Sequence, residues 1–357
     1  MKETNLSELL LEEYRIYQLY TLMDRAIPYL QDGLKPVQRR ILYTLFRNKA
    51  KGLLKVSSAT GLVLSLHPHG PASIESAIVN MAQNFTFANN YPLIDKKGYF
   101  GERMETMAAA SRYIECKLAK VVEFLMFDDM NQVTFVDNYD ERVKEPLCLF
   151  PKLPIMLING AEGIGTGYSS MIPSYNHSDV IKAIKSFLTS GRIRKLKPWV
   201  RNYTGDIHFD AEKNRYEFST VFEEIDGDIY ITELPKGYDA KKINKHLLKF
   251  IEDDYLKDYS EYSAKNEIKI KLIFRRGKQP DLQEVADTIG ITTYMSPNMT
   301  LISDEGVEIF QTPEEIIRIF AKQRLVVIKK RYELLLKDAE AAINYNNEII
   351  RFIKEKH

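Results

Sequence analysis

Three short stretches near the N-terminus combine residue types that can do chemistry on a phosphate. In RAIPYLQDGLKPVQRRILYTLF, residues 25–46, Lys35, Arg39 and Arg40 follow an Asp32-Gly33 turn, and Lys35 and Arg39, four apart, fall on one helical face. Cations so placed suit phosphate contacts, as they also suit a solvated helix start. In LHPHGPASIESAIVNMAQ, residues 66–83, His67 and His69 flank Pro68, and Gly70-Pro71 opens a helix marked by Ile74, Ile78 and Met81. A helix N-terminus beside imidazoles is a ready anion site, whereas zinc would need further Cys or His at ligand spacing. In AAASRYIECKLAK, residues 108–120, small residues lead to adjacent Arg112 and Tyr113. A free tyrosine is only about 0.1% phenolate at pH 7, so its use as a nucleophile requires a neighbouring cation or base. The chain has 21 tyrosines, and packing is the commoner use of any one of them.

The elements that must hold these residues follow from pattern. At 357 residues, 45% hydrophobic and 28% charged, the chain is long enough for two or three ordered domains. Two cysteines, Cys116 and Cys148, make neither a disulfide framework nor a C-x-x-C metal pair. No signal-peptide h-region and no uncharged apolar run of about 18 residues occurs, which predicts a cytoplasmic protein. The net charge is +1, yet residues 1–120 hold 16 Lys/Arg against 11 Asp/Glu, so the basic excess coincides with the densest motifs.

Residues 5–22 alternate at helical spacing, with Asn5 and Glu8 as a capping pair. Short helices punctuated by Gly and Pro follow to about Val122, and a helix, turn and helix lead through the His67-His69 stretch. Beyond Pro146, VFEEIDGDIYITEL and NEIKIKLIF read as strands; Ile268, Ile270, Leu272 and Phe274 alternate with Lys269, Lys271, Ile273 and Arg275. Thr312-Pro313-Glu314-Glu315 caps a last helix free of Gly and Pro, in which Ile316, Phe320, Val327, Leu334 and Ala341 recur at spacings of 4, 7, 7 and 7. That pattern predicts an exposed coiled-coil arm.

The order of the motifs adds a resemblance. RAIP, DGLKPVQRR, HPHG, NYPLIDKKGYFG and AAASRY together resemble the breakage-reunion region of type IIA DNA topoisomerases, the family of gyrase A and its topoisomerase IV counterpart with T-even phage members. PIMLINGAEGIGTGYSSMIP resembles that family's intercalating segment, ITELPKGYDAKKI a strand and loop of its tower domain, and the helix after Thr312 its descending coiled coil. The resemblance implies an α+β, multidomain fold: an N-terminal helical arm over 1–24, a winged-helix domain carrying the catalytic tyrosine over 25–145, a tower domain over 146–310, and the start of a coiled-coil arm over 311–357. It implies a double-strand break through 5′-phosphotyrosyl links, with Tyr113 as nucleophile, Arg112 stabilising the phosphate, and Arg25 and His67 assisting. Lys35, Arg39, Arg40 and His69 would hold the DNA backbone, and Ile164 would wedge between base pairs. The basic run Arg192, Arg194, Lys195, Lys197 and Arg201 would grip a bent arm or form a solvated edge.

The same resemblance implies double-stranded DNA and a second copy of this chain as partners. Mg2+ and ATP would both be bound by a TOPRIM and GHKL ATPase partner, since no stretch here resembles either domain, and no metal site is expected in this chain. Asp226-Gly227-Asp228 imitates a Mg2+ motif but lies in the tower-like stretch, and Gly163, Gly165 and Gly167 imitate a nucleotide loop but surround Ile164. The sequence departs from the family at Ala72 and Ser76, where gyrase-like chains carry the Ser and acidic residue that support quinolone binding. It carries nothing resembling the exit gate. The alternative reading is a non-catalytic winged-helix protein that bends DNA.

Overall fold

The computed structural model describes residues 6–275, 277 and 280–355, so the Asn5–Glu8 capping pair lies outside the described residues and side chains. Helix α1 (Leu6–Thr21) runs into a π-helical turn, Leu22–Ala26, whose Leu22 and Ala26 pack with Ile27 and Ile302. The chain then reverses at Asp32-Gly33. Gly33 donates its N–H to the Tyr29 carbonyl at 2.8 Å with φ of 72°, and a β-carbon there would lie 2.7 Å from the Met156 nitrogen. Helix α2 (Pro36–Arg47) starts with Pro at its first position, and the Gln38 side chain accepts the Lys35 N–H at 2.9 Å.

After strand β1 (Leu54–Lys55) come helices α3 (Val56–Val63) and α4 (Pro71–Ala82). Ile41 and Leu42 of α2, Val56 and Val63 of α3, and Ile74 and Ile78 of α4 are all fully buried and close one core. Strands β2 (Ile94–Lys97) and β3 (Glu115–Leu118) complete a small antiparallel sheet in the order β1-β3-β2. The central strand β3 begins two residues after Tyr113, and its buried Cys116 pairs with Leu54 and Lys96 on either side. Helix α5 (Lys120–Met126) and the hairpin of β4 (Phe135–Asp137) and β5 (Lys144–Pro146) cover the core edge.

Residues 146–310 build on two further cores. One gathers helix α6 (Ile155–Ile158), the hairpin of β6 (Ala161–Ile164) and β7 (Ser169–Ile172), and helix α7 (His177–Ser190), which Asn176 caps by accepting the Ser178 N–H at 2.9 Å. Strands β8 (Ile207–Asp210) and β9 (Arg215–Ser219) lead to the other core. There, β10 (Val221–Ile225), β11 (Asp228–Glu233), helix α8 (Ala240–Glu252), β12 (Leu256–Glu261), β13 (Ile270–Phe274) and helix α9 (Leu282–Ile289) form a sheet, β10-β11-β13-β12, covered by helices. Ile268, Ile270 and Leu272 point inward, as their alternation predicts. Asp226 and Gly227 both have positive φ, 55° and 81°, the geometry of a two-residue hairpin turn, and Asp228 pairs with Lys271 at 2.5 Å. The D-x-D motif is therefore a turn.

Strand β14 (Thr292–Met295) pairs with β9, and β15 (Met299–Ser303) with β16 (Gly306–Phe310) returns to the second core. Helix α10 (Pro313–Glu355) follows; Thr312 accepts the Glu315 N–H at 3.4 Å, and the Glu315 carboxylate reaches back to the Gln311 N–H at 2.9 Å. Its 43 residues reach about 64 Å. Ile316, Ile317 and Phe320 bury against the body, while every described residue from Tyr332 onward is exposed. Arg324 and Arg331 pin the helix base to buried Asp129 at 2.7 and 3.5 Å. No helix among the described residues is long and apolar enough to cross a membrane.

Candidate active site and nucleic-acid interface

Tyr113 stands on a turn whose shape is imposed from beneath. Its own N–H bonds the Ala110 carbonyl at 2.9 Å, the carbonyls of Ser111 and Ile114 accept the first N–H groups of α3, and β3 continues into the core. The glycine-rich approach is equally fixed. A β-carbon on Gly101, φ 88°, would lie 2.5 Å from the Thr106 carbonyl, and buried Gln83 donates to the carbonyls of Phe100 and Thr106 at 2.9 and 3.0 Å. Farther along that loop, buried Arg103 donates to the Tyr238 and Leu234 carbonyls at 2.6 and 2.7 Å, tying the approach to the third core. The result is a ring 65% exposed, with the Arg112 guanidinium 4.7 Å from its centroid. A hydroxyl presented to solvent beside a guanidinium can reach a phosphodiester, and the cation can stabilise the charge that builds on it.

A second group assembles around Arg40. Its Nε and Nη2 donate to both carboxylate oxygens of Glu145 at 2.7 and 2.9 Å, and Nη2 lies 3.4 Å from Asp24. Its Nη1 donates to His67 Nδ1 at 3.0 Å. That bond leaves Nε2 of the neutral ring carrying the proton, ready to donate to an anion. Desolvation of a ring only 4% exposed, reinforced by the Arg40 charge, pulls the His67 pKa down to about 4. His69 meets His67 edge-on at 4.5 Å, Arg25 at 3.5 Å and Asp24 at 3.7 Å. Asp24 and Arg25 both sit on the π-helical turn, so one irregular element supplies a carboxylate and an exposed cation to the group.

Arg39 is corrected by the structure. It is 4% exposed, its Nε bonds Asp32 at 2.6 Å, and Asp32, itself fully buried, also accepts the N–H groups of Leu34 and Leu149 at 3.0 Å. The arginine stacks over Tyr29 and cannot reach a phosphate, because its charge neutralises a carboxylate that joins three chain segments. Lys35 and Arg39 thus share no outward face. Lys35 sits at the helix cap and lines a cleft of about 410 Å³ together with Glu162 and Lys236. Burial there lowers the lysine's pKa, against a raising influence from Glu162.

Ile164 is 89% exposed at the end of β6. The hairpin that carries it is clamped on three sides. Gly163 lies so close to the Ala26 carbonyl that a β-carbon would come within 2.0 Å, Gly165 abuts Leu22, and Gln18 donates to the Thr166 carbonyl at 2.7 Å. These glycines serve close packing, and what they leave outside is one rigidly held apolar side chain.

The structure thus brings Arg25, Arg40, His67 and His69 together, and Arg112 with Tyr113. No hydrogen bond, ion pair or ring contact among the described residues joins the two groups. Sequence reading misses Asp24, Gln83, Arg103 and Glu145. Each is a single polar residue without a periodic partner, and its role arises from contacts 16 to 135 residues away. The basic residues Arg192, Arg194, Lys195, Lys197 and Arg201 are all exposed.

Comparison with known proteins is consistent across sequence and structure. The model of the DNA gyrase/topoisomerase IV A-subunit family matches residues 25–357. DNA topoisomerase 2 of Arabidopsis thaliana is 33% identical over 359 residues, covering 94% of this chain and 24% of that protein. The Saccharomyces cerevisiae DNA topoisomerase 2 is 31% identical over 374 residues, 99% of this chain and 26% of that protein. A solved structure of the Plasmodium falciparum topoisomerase II DNA-binding, cleavage and re-ligation domain superposes with a TM-score of 0.82 at 30% identity, covering 91% of this chain and 46% of that one. The chain spans about a quarter of the length of the curated relatives it matches.

Proposed function

This chain belongs to the DNA gyrase/topoisomerase IV A-subunit family, and from that premise we propose that it is the DNA-binding and cleaving subunit of a type IIA topoisomerase. The observation that carries the reading is the presentation of Tyr113: a ring 65% exposed, on a turn held by α3, with Arg112 over its face. The Tyr113 hydroxyl attacks a backbone phosphorus. A bond forms from Tyr113 Oη to phosphorus, the bond from phosphorus to the 3′-oxygen breaks, the phenolic proton departs and the 3′-oxygen takes up a proton. Reversal reseals the strand, because the phosphotyrosyl ester keeps the bond energy. Arg112 stabilises the crowded, negatively charged phosphate, and His67, neutral and donating through Nε2, assists at an oxygen of the same phosphate together with Arg25. Lys35, Arg40 and His69 hold the adjoining backbone. Ile164 enters between base pairs and bends the duplex, an insertion that costs a few kcal/mol of unstacking and is offset by the contacts the bend permits.

Type II topoisomerases depend on Mg2+ and ATP. Among the described residues no group of three or more His, Cys, Asp or Glu is placed to hold a metal ion, and both cofactors are proposed to come with a TOPRIM-bearing ATPase subunit. Tyr113 and the Arg40–His67 group lie at opposite ends of α3, whose eight residues span about 12 Å. In this reading a second copy of this chain completes each site, and the enzyme works in the cytoplasm of a bacterial or phage-infected cell.

The test is a denaturing-gel assay with end-labelled duplex and Mg2+, in the presence of the partner subunit. Wild type should give a covalent protein–DNA band and Tyr113→Phe none, with DNA binding within about twofold. Bent complexes without any covalent band in the wild type would favour a protein that bends DNA without cutting it.

A further inference from the structure

The wedge strand carries a charge that works against its proposed use. Along β6, Glu162 and Ile164 are both exposed while Gly163 between them is buried, so carboxylate and wedge leave the strand on the same face. Any duplex that receives Ile164 brings its phosphates past Glu162. An exposed carboxylate there would repel them, yet two lysines surround it. Lys236, on the loop after β11, forms an ion pair with Glu162 and also contacts Met295 Sδ at 3.7 Å. Lys35, from the cap of α2, lines the same cleft and makes no ion pair among the described residues.

We propose that Glu162 is a resident counter-ion, held by Lys236 in the free protein and displaced by a DNA phosphate when Ile164 inserts, so that Lys236 becomes a phosphate contact only in the bent complex. The inference rests on the functional reading above and adds to it a residue, Lys236, and a sequence of events. In the free protein the ion pair neutralises Glu162 and ties the hairpin to the loop beyond β11. As the duplex bends, phosphate replaces carboxylate on Lys236, and Lys35, already unpaired, faces the same stretch of backbone. Three features fit a phosphate better than a permanent salt bridge. The pair is partly exposed, with Glu162 56% open to solvent, where an ion pair contributes little stability of its own. Its two members come from elements that rest on different cores. The rest of the cleft is lined by apolar side chains and by neutral amides such as those of Asn80, Asn89 and Asn159, which leaves the two lysines as its cations.

The test uses the whole enzyme with uncleaved duplex carrying a donor and acceptor dye at its ends, titrated over salt. Each phosphate contact contributes about −0.9 to the slope of log affinity against log salt. Lys236→Met should make that slope shallower by about one and lower the bent fraction. Glu162→Gln should bind and bend more readily than wild type at low salt, with the wild-type slope, because the competing carboxylate is gone and the lysine remains. A Lys236→Met slope equal to wild type would overturn the proposal, as would weaker binding by Glu162→Gln, which would mean that the pair only positions the hairpin. Failure of the functional reading looks different: no salt-dependent duplex binding by the wild-type enzyme at all. Glu162 is exposed and Lys236 half-buried, and matching melting curves for the two variants exclude a folding defect.

Discussion

At the scale of single residues, neighbouring cations divide into those that build the protein and those that face outward. Arg39 and Asp32 form a buried pair whose carboxylate also receives two backbone N–H groups, so removing the arginine leaves an uncompensated charge inside the body. Arg39→Met should lower stability by about 3–5 kcal/mol in urea titration, whereas Lys35→Met should leave stability nearly unchanged and weaken DNA binding. The reverse pattern would restore Arg39 to the DNA-contacting set. His67 makes a second division, in pH. Its folded pKa of about 4 lies below the ordinary value of 6.5, so between those limits the unfolded chain binds a proton that the folded one refuses. Stability from this group is therefore full above pH 6.5 and is lost as pH falls towards 4, by up to about 3 kcal/mol. Unfolding midpoints at pH 7 and pH 4.5 should differ less for His67→Gln than for wild type, whose midpoint falls farther. The neutral ring should also add no titration of its own to the cleavage rate between about pH 6 and 8.

Elements explain why some of this can be read in the sequence and some cannot. The strand alternation of Ile268 to Leu272 and the Thr312 cap are local signals, and the structure carries both. The glycines around Ile164 are also legible as a group, through resemblance, but not their physical reason, since Gly163 answers to Ala26 and Gly165 to Leu22, more than 130 residues upstream. Arg39 escapes such reading because the spacing of charges along a helix says nothing of which carboxylate faces them across a turn. The hairpin separates the role of its wedge from the role of its glycines. Ile164→Ala removes a side chain that is almost wholly in solvent, so stability should stay within about 0.5 kcal/mol while dye-labelled duplex loses its bend. Gly163→Ala puts a β-carbon onto a backbone oxygen, which should cost roughly 1–3 kcal/mol and disturb bending as well. A stable Gly163→Ala protein that bends DNA normally would show that the hairpin is not held at that point.

On the scale of the whole molecule, the two halves of the proposed chemistry are tied to opposite ends of one helix. The carbonyls of Ser111 and Ile114 sit on the first turn of α3, and the His67 N–H bonds its last turn at Val63, so the length of that helix keeps the tyrosine turn and the imidazole group apart. The fold offers no hinge between them, because α3 is packed into the same core as α2 and α4 and its ends are fixed by backbone bonds. If each tyrosine meets the Arg40–His67 group of a second copy, then two differently damaged copies can repair one another. A dimer of one Tyr113→Phe chain and one His67→Ala chain holds one site that lacks both groups and one that lacks neither. It should nick one strand of a duplex at close to half the wild-type yield, although each homodimer is inactive or slow. Were tyrosine and imidazole to act within one chain, every site in the mixed dimer would carry a defect, and nicking would fall to about half that of the His67→Ala homodimer, whose two sites both keep their tyrosine. The mixed-dimer nicking assay with affinity-tagged chains therefore reads the architecture of the site directly, and repair above the cis level is the outcome expected from the placement of the two groups at opposite ends of α3.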